Sequence, residues 1–504
     1  MKTNLLLESF LASTSLVQHQ IDSYNRFVEQ DLQKIIDQQS VIEPSVEGFS
    51  LKLGKIRLER PSIIESDSSR RNLLPNEARL RNLTYAAPIF LEFVPVIKDV
   101  AKVSSYGEVF IGELPVMIRS NLCYEKTMTK TQLLENGEDP EDPGGYFIVK
   151  GTERTLIGLE DLAPNRIITT NKKTGNMVVS QVFSTAPGLP RVRTVVSRNQ
   201  HGIFAVEFPT LHNGIDLVMI TRALGLQSSD LMASTEGSLS FKNDMMLNIE
   251  MSPSKDISTS DALKEFGKSS APGQAPEYQL KRAESQLDTY LLPHLGTEKK
   301  DRVEKANYLI QMAKRASLVG NKLAKEDDKD HYANKRVKFA GQLMSELFAY
   351  AFRFFVKDVK YQIERSSARG RKLNIPTIIS SDTITEKISY AMGTGTWVAG
   401  QTGVSQVLDR YNQLSSVSHL RRIKSPLAKK HPHFAAREVH GTQWGKICIA
   451  ETPEGPEAGL TKYLALMAKV SVGADEDFIK KQINDVSKLD TGDKEDEEKK
   501  NEKK

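Results

Sequence analysis

Between Ser15 and Ile36, apolar side chains fall at Val17, Ile21, Tyr24, Val28, Leu32 and Ile35. Steps of three and four put them on one helical face, so the pattern predicts a helix. From about Phe49 to Arg119 the period shortens. Ile89, Leu91 and Phe93 alternate, and a second apolar run, Val109 to Ile118, is broken by Gly112 and Pro115; both predict strands. Residues 135–166 (ENGEDPEDPGGYFIVKGTERTLIGLEDLAPNR) carry Asp-Pro and Gly-Gly pairs and read as loop-rich. Next, Ile167 to Thr170, Met177 to Phe183, Val192 to Val196 and Ile203 to Phe208 predict a strand meander. Its turns fall at Thr174-Gly175 and Asn199 to Gly202. Residues 209–330 read as mainly helical, with a surface loop from Pro253 to Pro276. A long helix is predicted from about Lys335 to Glu364, with Phe339, Leu343, Leu347, Tyr350 and Phe354 on one face. Gly370 stops it, and Arg365, Arg369, Arg371 and Lys372 crowd its C-terminal end, where cations suit the helix dipole. Asp490 to Lys504 contain no apolar side chain and predict a disordered tail.

These alternating element types predict an α+β multidomain fold, and 504 residues are enough for about three domains. No apolar run approaches the roughly 20 residues of a membrane helix. Glu8 interrupts the only apolar stretch at the N-terminus, so no signal peptide is expected. Two cysteines, Cys123 and Cys448, fit a reducing compartment and exclude both a disulfide framework and a cysteine-rich zinc site.

Charge changes the picture more. From His419 to Lys446 the chain carries seven cations (Arg421, Arg422, Lys424, Lys429, Lys430, Arg437, Lys446) against one acid, Glu438. That local +6 compares with a net +5 for the whole chain, and polyphosphate is its natural partner. Four of nine histidines, His419, His431, His433 and His440, lie there too. The alternative is a solvated basic surface. Just beyond, ETPEGPEAGL (Glu451 to Leu460) combines prolines, glycines and three glutamates into a rigid, irregular loop. Self-sufficient catalysis finds little support. Gly267-Lys268-Ser269 looks like the end of a phosphate loop, but Ala262 stands where its first glycine should be. Glu138, Asp139, Glu141 and Asp142 read as a solvated turn rather than a metal site.

GVSQVLDRYNQLSSVSHLRR followed by VHGTQWGKICIAETPEGPEAGLTKYLALM resembles the fork of the second-largest subunit of multisubunit DNA-directed RNA polymerases. EARLRNLTYAAPIFLEF, GELPVMIRSNLC, EDPGGYFIVKGTERTLIGLEDLAPNR and DKDHYANKRVKFAGQLMSELF are similar to further stretches of the same polypeptide, in the same order. The likeness is greatest to the archaeal form, which some archaea split into two chains. The N-terminal half of the split form ends just after the fork. The resemblance implies a protrusion (residues 15–180 and 331–393), an inserted lobe (181–330), a fork (394–473) and a charged tail (474–504). It implies that Gln406, Asp409, His419, Arg421 and Arg422 line a channel beside the RNA–DNA hybrid. Ser425 to Arg437, with Lys424, Lys429, Lys430 and Arg437, would be the fork loop near downstream DNA. Glu454 would lie near the active centre.

In the family, two magnesium ions are held by an NADFDGD motif in the largest subunit, and no such motif occurs here. The resemblance therefore implies a cytoplasmic polymerase subunit, not catalytic alone. Its partners would be the C-terminal half-subunit, the largest subunit, template DNA and the hybrid. Gly441, Ile449 and Glu457 depart from the residues common at those positions in the family.

Overall fold

The predicted N-terminal helix forms in three pieces. Gln18–Arg26 (α1) is α-helical, Phe27–Asp31 is a π turn, and Leu32–Asp37 (α2) resumes the α-helix. Val17, Ile21, Tyr24, Leu32 and Ile35 are buried as the spacing predicts. Phe27, outside the predicted stripe but three residues after Tyr24, is buried as well. The computed structural model describes residues 2–46, 48–97, 100–101, 107–172, 177–186, 189, 191–209, 211–253, 257–370, 374–471, 473 and 478–484. The tail predicted from Asp490 onward lies outside them.

Strands β1 (Phe49–Leu58), β2 (Ala86–Ile97) and β3 (Glu108–Pro115) pair antiparallel, with β2 in the middle. Ile89, Leu91 and Phe93 all face the core. The 135–166 passage departs from its loop-rich reading. Turn residues occupy only its first part, and Phe147–Val149 (β4), Thr152–Leu156 (β5) and Gly158–Leu162 (β6) follow. Phe147, Ile148, Val149, Leu156 and Ile157 are buried, and that apolar burial draws the backbone into sheets.

The meander forms as predicted from β7 (Ile168–Lys172), β8 (Met177–Ser184), β9 (Val192–Arg198) and β10 (Phe204–Phe208), and Leu211–Asp216 (β11) adds a fifth strand. The Thr174-Gly175 turn lies outside the described residues. Helices cover this sheet and share a second core with it, from Val178 to Val319. The expected 180/181 boundary cuts β8, which pairs with β9 along its length, so this body begins at β7. The surface loop expected over Pro253 to Pro276 contains a helix, Thr259–Ser270 (α3). The Ser258 side chain caps it, and Ala262, Leu263 and Phe266 form a buried stripe too short to register against the polar background. Gly267, Lys268 and Ser269 lie in its last turns, so they make no phosphate loop.

After Arg302–Gly320 (α4), the chain returns to the first body through Lys335–Lys338 (β12) and the long helix Ala340–Ala368 (α5). The buried face of α5 holds Leu343, Met344, Leu347, Phe348, Phe352 and Phe355. Phe354, placed on that face by the sequence, is 40% exposed. Gly341 sits where α5 crosses α1: its amide donates to Ser23 Oγ at 2.9 Å, and a Cβ there would lie 1.8 Å from Ser23 O.

Further along come Asp382–Thr394 (α6), Ser405–Val407 (β13), Gln413–Leu420 (α7), Arg422–Lys424 (β14) and Thr461–Tyr463 (β15). They complete sheets begun much earlier. One sheet runs β13-β5-β4 and another β12-β6-β14-β15. Trp397, Val404, Leu408 and Leu420 belong to the first core, and the Trp397 indole donates to Leu343 O at 3.0 Å. The basic segment is therefore mounted on the rigid first body. Among the described residues, no helix is long and apolar enough to cross a membrane.

Candidate nucleic-acid interface

The base of the basic segment is held by two buried polar side chains. Gln20 of α1 donates to Leu156 O and Leu420 O, both at 3.2 Å, and accepts from the Ala340 amide at 3.1 Å. Arg421 caps α7. Its guanidinium donates to Leu16 O (2.5 Å), Ala465 O (2.6 Å), Leu466 O (3.2 Å) and Leu464 O (3.4 Å). At 7% exposure, with its donors committed to main-chain carbonyls, Arg421 ties Leu16 and the 464–466 backbone to α7. The expectation that it faces nucleic acid is corrected on that ground.

His419 is likewise buried, at 2% exposure. The Asp409 amide donates to its Nδ1 at 3.2 Å, so the proton sits on Nε2, which donates to Gln406 Oε1 at 3.0 Å. Burial pushes its pKa down to about 4, Arg422 adds to the shift, and Asp409 opposes it. His419 is therefore a neutral spacer that orients Gln406 and Asp409, not a cation offered to phosphate.

Gln406, Asp409 and Arg422 do reach the surface together. Arg422 lies half-buried on β14. Its Nε donates to Tyr463 Oη at 3.0 Å, its guanidinium sits over the Tyr463 ring, and Asp409 lies 3.8 Å away. Lys424 follows on the same strand, half-buried, with its ammonium pKa lowered by burial and by Lys429 nearby, against Glu457.

The loop 425–437 projects beyond that sheet. Lys430 at its tip is exposed and has no hydrogen bond or ion pair among the described residues. Lys429 pairs with Glu457. Arg437 is turned inward: Nε donates to Pro432 O (2.8 Å) and Nη1 to Pro456 O (2.9 Å) and Ala458 O (2.7 Å), so it shapes the loop instead of facing solvent. Glu454 is exposed at the start of a short 3₁₀ turn. The departures at Gly441 and Ile449 are surface positions. A Cβ at Gly441 would meet nothing within 4 Å, and Ile449 is 63% exposed.

Of the aromatics here, Phe434 stands out in the sequence beside the paired lysines, whereas Tyr411 and Trp444 do not. Tyr411, Phe434 and Trp444, near the cations in sequence, expose 91%, 74% and 81% of their surface, and such rings stack on bases or on a partner. The sequence pattern also missed the buried carboxylate beneath the segment. Glu160 on β6 accepts from Lys335 Nζ (2.7 Å), Lys462 Nζ (3.0 Å) and Tyr332 Oη (2.9 Å). The available signal was an acid pair, Glu160-Asp161, set between the two leucines of a short strand. The 138–142 carboxylates do not converge: Glu138 is buried against Arg79, Asp142 pairs with Arg410, and exposed Glu141 pairs with Lys130. Among the described residues, no group of three or more His, Cys, Asp or Glu side chains is placed to hold a metal ion.

Residues 15–386 match the family described as RNA polymerase beta subunit, and residues 406–470 match RNA polymerase Rpb2, domain 3. The chain is similar to DNA-directed RNA polymerase subunit Rpo2N of Methanocaldococcus jannaschii, at 48% identity over 94% of this chain and 96% of that protein. It is 43% identical to the Rpo2N of Methanococcus vannielii over 96% of this chain and 99% of that protein. Against subunit Rpo2 of Saccharolobus solfataricus, identity is 44% over 95% of this chain, which spans only 43% of that longer protein. The segment that carries Arg422, Lys424 and Lys430 is thus part of a continuous likeness. The chain belongs to the family of the DNA-directed RNA polymerase second-largest subunit and corresponds to its archaeal N-terminal half.

Proposed function

We propose that this chain forms one wall of the nucleic-acid channel in a DNA-dependent RNA polymerase and supports template-directed RNA synthesis without holding the catalytic magnesium. The body around α1, β1–β6 and α5 is the protrusion, the body from β7 to α4 is the lobe, and the segment from β13 to β15 is the fork. The observation that carries the reading is that Arg422 and Lys424 sit on a strand sharing a sheet with the first body, followed by exposed Lys430 in a stretch that also exposes Tyr411, Phe434 and Trp444. A rigid cationic rim contacts phosphates without reading bases, which suits an enzyme that must accept any template. Gln406 and Asp409, oriented by neutral His419, add hydrogen-bonding groups to it. Glu454 stands on the adjoining turn, close to the active centre. The nucleotidyl-transfer chemistry, with its two magnesium ions, belongs to the largest subunit. That subunit and the C-terminal half of the second-largest subunit are the partners, with template DNA and the RNA–DNA hybrid as ligands, in the cytoplasm.

The test is the salt dependence of scaffold binding by the reconstituted polymerase. Arg422→Gln and Lys430→Gln are each expected to reduce the slope of log K against log salt by about 0.7–0.9, one phosphate contact apiece. Assembly should be unchanged, because neither side chain supports the core. Slopes equal to the parent enzyme's in both variants would contradict the reading.

A further inference from the structure

Loop 425–437 and turn 455–459 are held together by one guanidinium. Arg437 reaches Lys429 O at 3.2 Å and Pro432 O at 2.8 Å on the first, and Pro456 O and Ala458 O at 2.9 and 2.7 Å on the second. Gly459 permits this approach: its φ is +72°, and a Cβ would stand 2.4 Å from Arg437 O. The carbonyls that Arg437 grips belong to Lys429 itself and to both neighbours of Glu457. The side chains of Lys429 and Glu457 are thereby delivered face to face, and they form an ion pair. Thr461 Oγ1 lies 3.4 Å from the carboxylate, and Lys424 is close enough to help hold its pKa down behind the hydrogen bond from Lys429. The pair stays accessible, with side chains 47% and 36% exposed. Accessible ion pairs are weak and are screened by salt, so a polyanion arriving at this loop competes for Lys429 on comparable terms.

We propose that Glu457 is a built-in competitor of the nucleic-acid backbone: its carboxylate occupies Lys429 as a phosphate would, and so limits how tightly the basic loop holds a polyanion. The inference rests on the reading of this loop as a nucleic-acid contact. A phosphate reaching Lys429 must displace Glu457 and then lie beside its freed charge, so the loop engages one phosphate fewer than its cations allow. A grip limited in this way suits a loop past which a strand must keep moving.

The experiment measures Kd of the reconstituted polymerase for an RNA-primed template scaffold across a KCl series, for the parent enzyme, E457Q, K429Q/E457Q and K430Q. E457Q is expected to bind more tightly at low salt and to steepen the slope by about 0.7–0.9, the signature of one added phosphate contact. K429Q/E457Q is expected to return the slope to the parent value, because Lys429 is the cation released. An E457Q slope equal to the parent's overturns the proposal, as does a steepening that persists in K429Q/E457Q. K430Q separates two failures. If K430Q flattens the slope while E457Q leaves it unchanged, the competitor fails and the loop's contact with nucleic acid stands. If neither variant moves it, the loop touches no nucleic acid and both readings fall.

Discussion

Replacing Glu160 by Gln is expected to destabilise the chain by about 3–5 kcal/mol, the range for breaking a buried ion pair from one side. Glu160 lies on β6, the inner strand to which β12 and β14 pair. Its side chain is 3% exposed, and those of Lys335 and Lys462 are 9% and 8% exposed. Neutralising the carboxylate leaves two buried ammonium groups sharing one amide oxygen. Because Lys335 belongs to β12 and Lys462 to β15, the damage should reach the basic segment as well as the first core. Urea unfolding of the full chain reads the loss, and an unchanged midpoint would contradict it. Replacing Glu160, Lys335 and Lys462 together with apolar residues should recover much of the stability, since no charge is then stranded. The effect also carries a pH signature. Burial pushes the Glu160 carboxyl up, but Lys462 and Lys335 outweigh it and hold the pKa below the ordinary glutamate range. The stability it contributes is therefore full above the unfolded value and is lost as pH falls through the folded one. The difference between parent and Glu160→Gln should shrink below about pH 4.

Arg421→Ala is expected to cost about 3 kcal/mol or more, because hydrogen bonds to a charged group contribute about 1.5–3 kcal/mol each and the released carbonyls stay buried. The contrast with its neighbour is diagnostic. Arg421 is closed over by Leu16 and the 464–466 backbone, whereas Arg422 lies at the surface. Arg421→Ala should lower the unfolding midpoint and impair assembly, while Arg422→Gln should leave both and alter only nucleic-acid binding. Arg421→Lys should rescue poorly, since one ammonium cannot span carbonyls on two separate segments. A stable, assembly-competent Arg421→Ala chain would contradict this division.

The periodic elements were legible in the sequence where a single rule dominated. The stripe from Val17 to Ile35, the alternation of Ile89, Leu91 and Phe93, and the meander after Ile167 are all in place. Short segments whose conformation depends on distant partners were not. Strands β4 to β6 follow a turn-rich stretch; β4 pairs with its neighbour β5, and β5 and β6 take their other partners from residues 335–338, 405–407 and 422–424. Helix α3 is polar on most of its surface and owes its existence to a narrow buried stripe. At the site, the cationic segment was visible as composition, but composition cannot say which way a cation points. Arg421 and Arg437 face backbone carbonyls, Lys429 faces Glu457, exposed Lys446 donates to Thr442 O, and Arg422, Lys424 and Lys430 are the cations this reading assigns to an outside anion. The surface role of Tyr411 and Trp444 was equally hidden, because an aromatic in a sequence reads first as core.

Site-specific cross-linking tests the central claim most directly. A photoreactive group placed at Lys430 in the reconstituted polymerase, stalled on a DNA–RNA scaffold, should join to the nucleic acid, while the same group at exposed Tyr278 of the second body serves as reference. Efficient capture of DNA or RNA from position 430 is the expected result. Capture no greater than from position 278, in a complex that still extends its RNA, would contradict the placement of the basic rim along the nucleic-acid path.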